Sequence, residues 1–445
     1  MSLSTYFSIQ FSEFTQRFVR LAKSRTARDS FVVISGNLLT AGLGFLSMIM
    51  VARALGKYNF GLFSVATAVM TMVVGLADLG IGTGLVRFAS SYLEKEPRKA
   101  HLIFKVAFNL EILISLFVLI LGLTIARPLA GLISTEKEMV TLLRLAFLGA
   151  AAMSMGSYIT AVLQAWQSFV KLSLYSIVSN VVKLGLVLLL VALGYLHIFN
   201  TMVVYALVPV FGLVLGMILI PKQFLRQKSL REGRDVFFRL FHFSKWIMLS
   251  CLANSVVTRI DVLILSRYKG AEAVGIYSAG YQLSMIFPLL IGSLVTVLLP
   301  QVSKLSYKDE FVFFIKKSLF ISTLILIALL PVFIFSKSLI RFFWGVQFME
   351  SAGIFNILFL TFMVNLIFNP ISTVLYALDK PRIITYTNLL QLVISITGNL
   401  ILIPLLGIYG AAFTFLGLTI VGSAIVTIFV VISVSELAVS EGRAT

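Results

Sequence analysis

The sequence predicts an all-α polytopic membrane protein with about twelve spanning helices arranged as two related six-helix lobes. Three observations carry this expectation: the composition, the placement of the basic residues and an internal repeat. Of 445 residues, 59% are hydrophobic and 12% charged, and the mean hydropathy is +1.02. A soluble chain of this length needs far more polar surface. Many stretches exceed the roughly 18 apolar residues needed to cross a hydrocarbon core of about 30 Å. Inside hydrocarbon, each backbone group must be satisfied within the protein, and long unbroken apolar runs select helices for that role. The period-two alternation of barrel strands is absent.

The spans read as 30–53, 61–86, 106–126, 142–163, 172–193, 201–220, 246–266, 273–300, 316–335, 351–376, 383–404 and 410–434. The first thirty residues lack an apolar core and a small-residue cleavage site, so no signal peptide is expected. Cys251 is the single cysteine, which excludes an intrachain disulfide.

A net charge of +18 raises the question of nucleic acid. Its distribution answers against that reading. With alternating loops on two sides, the side bearing both termini holds 25 of the 36 Lys and Arg residues, the other side holds 9, and Lys183 and Arg259 fall within spans. The positive-inside rule makes the first side cytoplasmic and the membrane an inner one, with both termini in the cytoplasm. Residues 1–29 read as a basic amphipathic segment on the anionic leaflet, with Phe7, Phe11, Phe14 and Phe18 beside Arg17 and Arg20. The first lobe spans 30–220, a basic cytoplasmic linker 221–245, the second lobe 246–434 and a cytoplasmic tail 435–445.

The lobes repeat. Leu55-Gly56-Lys57-Tyr58-Asn59-Phe60-Gly61-Leu62-Phe63-Ser64 matches Lys269-Gly270-Ala271-Glu272-Ala273-Val274-Gly275-Ile276-Tyr277-Ser278 at a shift of 214, and Arg53 falls on Arg267. Leu163-Gln164-Ala165 matches Leu375-Tyr376-Ala377 at a shift of 212, and Gly194 matches Gly407 at 213. A duplicated unit with an even number of helices keeps its orientation, so the lobes are related by an axis along the membrane normal.

Polar residues in spanning helices face the bundle interior or a water-filled cavity. Gly36, Thr40, Gly44 and Ser47 form a stripe on helix 1, with Asn37 beside it; the repeat turns the stripe into Ser250, Asn254, Thr258 and Asp261 on helix 7. Helix 2 carries Ser64, Thr67, Thr71, Gly75, Asp78 and Gly82, helix 5 Ser176, Asn180 and Lys183, and helix 11 Asn388, Gln391, Ser395 and Asn399, all at helical spacing. For the small and hydroxyl residues, helix packing is the simpler account. An ionisable group at mid-bilayer costs at least about 2.5–3.5 kcal/mol, which points to function. Lys183 lies about 16 Å deep at 1.5 Å per residue. Asp261 joins it as a cavity candidate, and Asp78 and Glu111 are balanced between a cavity and an internal ion pair. Arg259 sits about 200° around the helix from Asp261 and should not share its face. Arg53, Arg87 and Arg267 lie at helix ends as interfacial anchors or a cavity mouth. Pro209, Pro288, Pro331 and Pro370 interrupt helices, with Asn369-Pro370 the expected break.

No P-loop, HExxH, paired-cysteine or GxSxG pattern occurs, and no extramembrane segment has room for a soluble catalytic domain. The expectation is a transporter without cofactor or metal, and not an enzyme. A membrane glycosyl- or acyltransferase would need a His, Asp or Glu constellation that the sequence lacks.

Arg53-Ala54-Leu55-Gly56 followed by Phe60-Gly61-Leu62-Phe63-Ser64, then Ala77-Asp78-Leu79-Gly80 and Leu85-Val86-Arg87-Phe88, resembles the opening of the Wzx-type polysaccharide flippases of the multidrug/oligosaccharidyl-lipid/polysaccharide (MOP) exporter superfamily. Arg259-Ile260-Asp261-Val262-Leu263-Ile264-Leu265, Gly275-Ile276-Tyr277-Ser278 and Tyr281 continue the resemblance, which covers about residues 30–435. It implies two lobes in a V and alternating access. It also implies movement of an undecaprenyl-diphosphate-linked oligosaccharide to the outer leaflet for O-antigen, capsule or exopolysaccharide assembly. On that reading Lys183 and the arginines meet the diphosphate, and Asn37, Asn180, Asn254, Asn388 and Gln391 suit sugar hydroxyls. Asp78, Glu111 or Asp261 would bind a coupling proton or sodium ion. Membrane lipids, a polysaccharide polymerase and a chain-length regulator are the implied partners. A drug/cation antiporter or a lipid II flippase of the same superfamily is the alternative.

Overall fold

The structure is a computed structural model that describes residues 25–223, 248–302, 305, 307–378, 380 and 382–444. The expected amphipathic helix at 7–21 and most of the 221–245 linker lie outside these residues. Helices follow in chain order: α1 (Arg25–Ala77), α2 (Ile81–Leu93), α3 (Pro97–Ile133), α4 (Met139–Ala165), α5 (Phe169–Ala192), α6 (Ile198–Leu219), α7 (248–257), α8 (Ile260–Ser284), α9 (Ile286–Val302), α10 (Lys308–Ile334), α11 (Ser336–Phe343), α12 (Ser351–Ala377), α13 (Arg382–Leu406) and α14 (Ile408–Ala444). No strand occurs among the described residues.

Ten helical stretches are long and apolar enough to cross a membrane, and two of them, Val32–Ala77 and Met248–Val295, run to 46 and 48 residues. Each would measure about 70 Å if straight, more than twice a hydrocarbon core. Both kink at a glycine, Gly56 (φ 71°, ψ 174°) and Gly270 (φ 80°, ψ −179°), so each supplies two crossings and the total is twelve. That backbone region is open essentially to glycine alone. Gly194 (φ 71°) and Gly407 (φ 61°), also at positive φ, turn the α5–α6 and α13–α14 corners. Both glycine pairs in the repeat therefore perform the same backbone task in each lobe.

Burial follows the helical period. On α3, Ala107, Glu111, Val118, Gly122 and Ala126 are buried, while Leu113, Leu116, Phe117, Ile120 and Leu123 are exposed as a face for lipid. Gly122 lets α4 approach closely, since a Cβ there would lie 2.2 Å from the Phe147 Cβ.

The prolines correct one expectation. Asn369-Pro370 is not a break: α12 runs unbroken from Ser351 to Ala377, and Pro209 and Pro331 also sit inside continuous helices. Proline at 370 frees the carbonyl of Leu366, four residues earlier, and the buried Ser322 hydroxyl of α10 donates to that oxygen at 2.8 Å. Only Pro288, in the first turn of α9, accompanies a break, at Met285. The other interruptions need no proline. Asp78-Leu79-Gly80 separates α1 from α2, with Leu79 at φ 44° and Gly80 at φ 70°, so the span expected over 61–86 is broken. Thr258-Arg259 separates α7 from α8.

The lobes touch through the repeat itself. A Cβ on Gly61 would lie 1.7 Å from the Ala271 carbonyl oxygen, and one on Gly275 would lie 2.0 Å from the Lys57 carbonyl oxygen. Residues 57 and 271, like 61 and 275, are equivalents at the shift of 214, so the contact is isologous. Arg53 reinforces it by donating to the carbonyls of Phe342 and Phe343 across the seam, the latter from Nε at 2.8 Å. Lys57 Nζ lies 3.4 Å from Glu272 and 3.6 Å from Glu350. Phe45 and Phe60 of the first lobe pack edge-on against Trp344 and Phe348 of the second at centroid distances of 5.8 Å. This seam lies at the face opposite the chain termini and closes the bundle there.

Two outcomes check these assignments. Gly56→Ala and Gly270→Ala should each cost about 1–3 kcal/mol and lower the apparent Tm of the purified protein. Gly185→Ala, in a helix with nothing within 4 Å of the new Cβ, should not. In a Cys251→Ser, Ser64→Cys background, Gly61→Val should raise labelling by a membrane-impermeant maleimide from the seam side several-fold. Unchanged labelling of folded protein would mean that the seam does not close that face.

Candidate functional site

Beneath the seam lies a chamber of about 470 Å³. Its wall comes from Thr40, Ser64, Thr67 and Thr71 of α1, Ser157 and Thr160 of α4, Tyr175, Ser176, Ser179, Asn180 and Lys183 of α5, Tyr205 of α6, and Ser278, Tyr281 and Gln282 of α8, with Arg259 in the α7–α8 break. Phe60 of the aromatic seam also lines it. A second chamber of about 490 Å³ is lined by Asp78, Gly82, Thr83, Arg87, Ser157, Thr160 and Gln164. Ser157 and Thr160 belong to both walls, so the two spaces adjoin and run from mid-membrane toward the face that carries the termini.

The α1 and α5 stripes lie where helical spacing places them. Thr67 and Thr71 satisfy their hydroxyls on the carbonyls one turn back, both at 3.0 Å, and remain free to accept from a ligand. Gly36 lets α5 close on α1, since a Cβ there would lie 2.5 Å from Ser173 Oγ, and Ser173 donates to the Val32 carbonyl at 3.2 Å. Gly44 opens the space beside Asn180 and Lys183.

The charges in the first chamber are both positive. Lys183 Nζ stands 5.5 Å from the centroid of the Tyr205 ring, and the Arg259 guanidinium stands 5.1 Å from that of Tyr281. Such rings stabilise a partly desolvated cation without neutralising it. Neither group has an ion-pair partner among the described residues. The second chamber adds Arg87 and one carboxylate, Asp78, which sits at the helix break and accepts from the Gly82 N–H. A polar space with two uncompensated cations and many hydroxyls can hold a multiply charged anion attached to a polyol.

The other candidates lie elsewhere. Glu111 is 3% exposed between α3 and α4, where Ser154 Oγ donates to it. Asp261 is 5% exposed, accepts from Tyr277 Oη and from the Val262 N–H, and lies behind the chamber wall; its neighbour Arg259 faces into it. Arg53 belongs to the seam. Arg267, Asn37 and Asn254 are exposed and line neither chamber. The α13 amides serve packing within the second lobe: Asn388 donates to Ser250 Oγ, Gln391 to the Leu418 carbonyl at 3.1 Å and Asn399 to the Ser395 carbonyl at 2.8 Å. Sequence reasoning passed over Tyr175, Ser179, Tyr205 and the α4 row Met153, Gly156, Ser157, Thr160 and Gln164. The i, i+3, i+4, i+7, i+11 spacing of that row was the available signal.

Comparison with known proteins places this geometry. The “Probable low-salt glycan biosynthesis flippase Agl15” of Haloferax volcanii is 24% identical over 394 residues, covering 87% of this chain and 79% of that protein. An inward-facing MATE-family multidrug resistance transporter of the MOP superfamily superposes with a TM-score of 0.73 at 13% identity, covering 90% of this chain and 95% of its own. The lipid II flippase MurJ, in an inward closed conformation, superposes with a TM-score of 0.73 at 15% identity, covering 92% and 90%. At these identities the structures establish a shared fold. The model of the polysaccharide biosynthesis protein family matches residues 26–306. The chain belongs to that family and carries the membrane-transporter fold of the MOP superfamily.

Proposed function

We propose that this protein is a flippase that carries an undecaprenyl-diphosphate-linked oligosaccharide from the cytoplasmic to the outer leaflet by alternating access, for assembly of a surface polysaccharide. The observation that carries the reading is the sign of the chamber: Lys183 and Arg259 are its charged groups, and neither is paired among the described residues. A diphosphate supplies the missing charge, with Arg259 suited to bidentate contact and Lys183 to a point contact. Hydroxyls and the Tyr175, Tyr205 and Tyr281 rings suit a glycan. The polyprenyl tail stays in lipid, where burial costs it nothing. Membrane and family context favour a lipid-linked substrate, and an organic cation would be repelled by the same two charges. The relative from Haloferax volcanii bears the name of a glycan biosynthesis flippase, in keeping with a transporter rather than an enzyme.

Orientation follows from the basic residues, with the termini and the open chamber on the cytoplasmic side. The seam would then be the outer gate, broken once per cycle. A polymerase and a chain-length regulator acting on the delivered glycan are the proposed partners. Coupling to a proton or sodium ion falls to the first-lobe carboxylates. Asp78 lines the second chamber, and Glu111 is buried between α3 and α4.

Reconstitution in proteoliposomes with a fluorescent undecaprenyl-diphosphate-linked sugar tests this reading. Lys183→Ala and Arg259→Ala should each lower the flipping efficiency, kcat/KM, by about 10- to 100-fold, the loss expected for one charge-assisted contact. Unchanged flipping, or transport of an organic cation in place of the lipid, would overturn it. Asp78→Asn and Glu111→Gln should preserve downhill flipping while abolishing its response to an imposed proton or sodium gradient. An intact response in both variants would remove them from coupling.

A further inference from the structure

We infer that Asp261 and Tyr277 form a positioning pair that holds the Arg259 guanidinium in the chamber by way of the Tyr281 ring. This rests on the flippase reading and specifies how one of its two cations is set. Arg259 lies in the break between α7 and α8, so the regular helix does not fix its direction. What lies beneath it is the Tyr281 ring, 5.1 Å from the guanidinium carbon. That ring stacks on Tyr277 with centroids 6.3 Å apart and planes inclined by 26°. Tyr277 is fully buried, and its hydroxyl donates to Asp261 Oδ2; Asp261 Oδ1 accepts the Val262 N–H at 2.8 Å.

The chain of contacts runs from a buried carboxylate, through two stacked rings, to a cation at the chamber surface. Asp261 and Tyr277 themselves are buried behind the wall, and only Tyr281 and Arg259 line the space. A carboxylate with both oxygens engaged by fixed donors suits an anchor. Asp261 therefore acts through other residues and does not touch the transported lipid.

The test uses full-length protein in detergent, binding of undecaprenyl diphosphate, and proteoliposome flipping. Tyr277→Phe should weaken binding about tenfold while leaving the maximal flipping rate within about twofold, and Tyr281→Leu, at the chamber wall, should weaken binding at least as much. Asp261→Asn should bind close to the unaltered protein, because Oδ1 still accepts from Val262 and the amide nitrogen donates to Tyr277 Oη. In an Arg259→Ala background, Tyr277→Phe should add no further loss, since there is no guanidinium left to position. Equal losses from Tyr277→Phe with and without Arg259 would make the pair merely structural and overturn the inference. So would an Asp261→Asn protein that binds normally but no longer responds to an ion gradient, because Asp261 would then be a coupling group. If the unaltered protein fails to bind undecaprenyl diphosphate at all, the flippase reading falls instead.

Discussion

Two backbones in direct contact set the geometry of this molecule. At Gly61 and Gly275 the lobes approach so closely that a single methyl group would collide with a carbonyl oxygen on the other side. Because the residues on either side are equivalents in the repeat, one duplicated glycine motif makes both halves of the contact. Closing the bundle at one face leaves room between the helices toward the other, and the chambers occupy that room. Arg53, Lys57 and the Phe45, Phe60, Trp344 and Phe348 rings add directional contacts around the same seam. These are charge-assisted and aromatic contacts of modest individual strength, suited to a joint that opens and recloses.

The second constraint is the cost of charge in a membrane. A buried cation without a counter-ion must be repaid by hydration, by an aromatic face or by a ligand. Lys183 and Arg259 each have a tyrosine ring and an open chamber. The second lobe resolves its inherited polar stripe differently. There Ser250 accepts from Asn388 and Asp261 accepts from Tyr277, so these two polar groups are consumed internally. Of the two stripes that the repeat relates, only Thr40 lines a chamber.

Helix number, the repeat and the polar faces of α1 and α5 were legible in the sequence, because hydropathy and helical period report directly on burial. The glycine landmarks were legible as matches, although their backbone task needed coordinates. Other features escaped for identifiable reasons. Periodicity says which residues share a face but not which neighbour that face meets, so the α13 amides and Asp261 read like chamber residues until their partners were seen. Helical spacing does not separate an exposed face from a chamber wall, so Asn37 and Asn254, which are exposed and line neither chamber, share the pattern of Asn180. The break at Asp78-Leu79-Gly80 rests on left-handed backbone at a leucine, for which local composition gives no signal. Pro370 signalled a break that a serine two helices away in sequence prevents.

The central claim is that the chamber receives the anionic head of a lipid. Photo-crosslinking with a polyprenyl diphosphate bearing a diazirine beside the diphosphate tests it most directly, with adducts located by peptide mass spectrometry. The account predicts adducts on α5 around Lys183 and at the start of α8 around Arg259, suppressed by excess unlabelled undecaprenyl diphosphate. Adducts confined to lipid-facing positions such as Leu116 and Leu123 would contradict it.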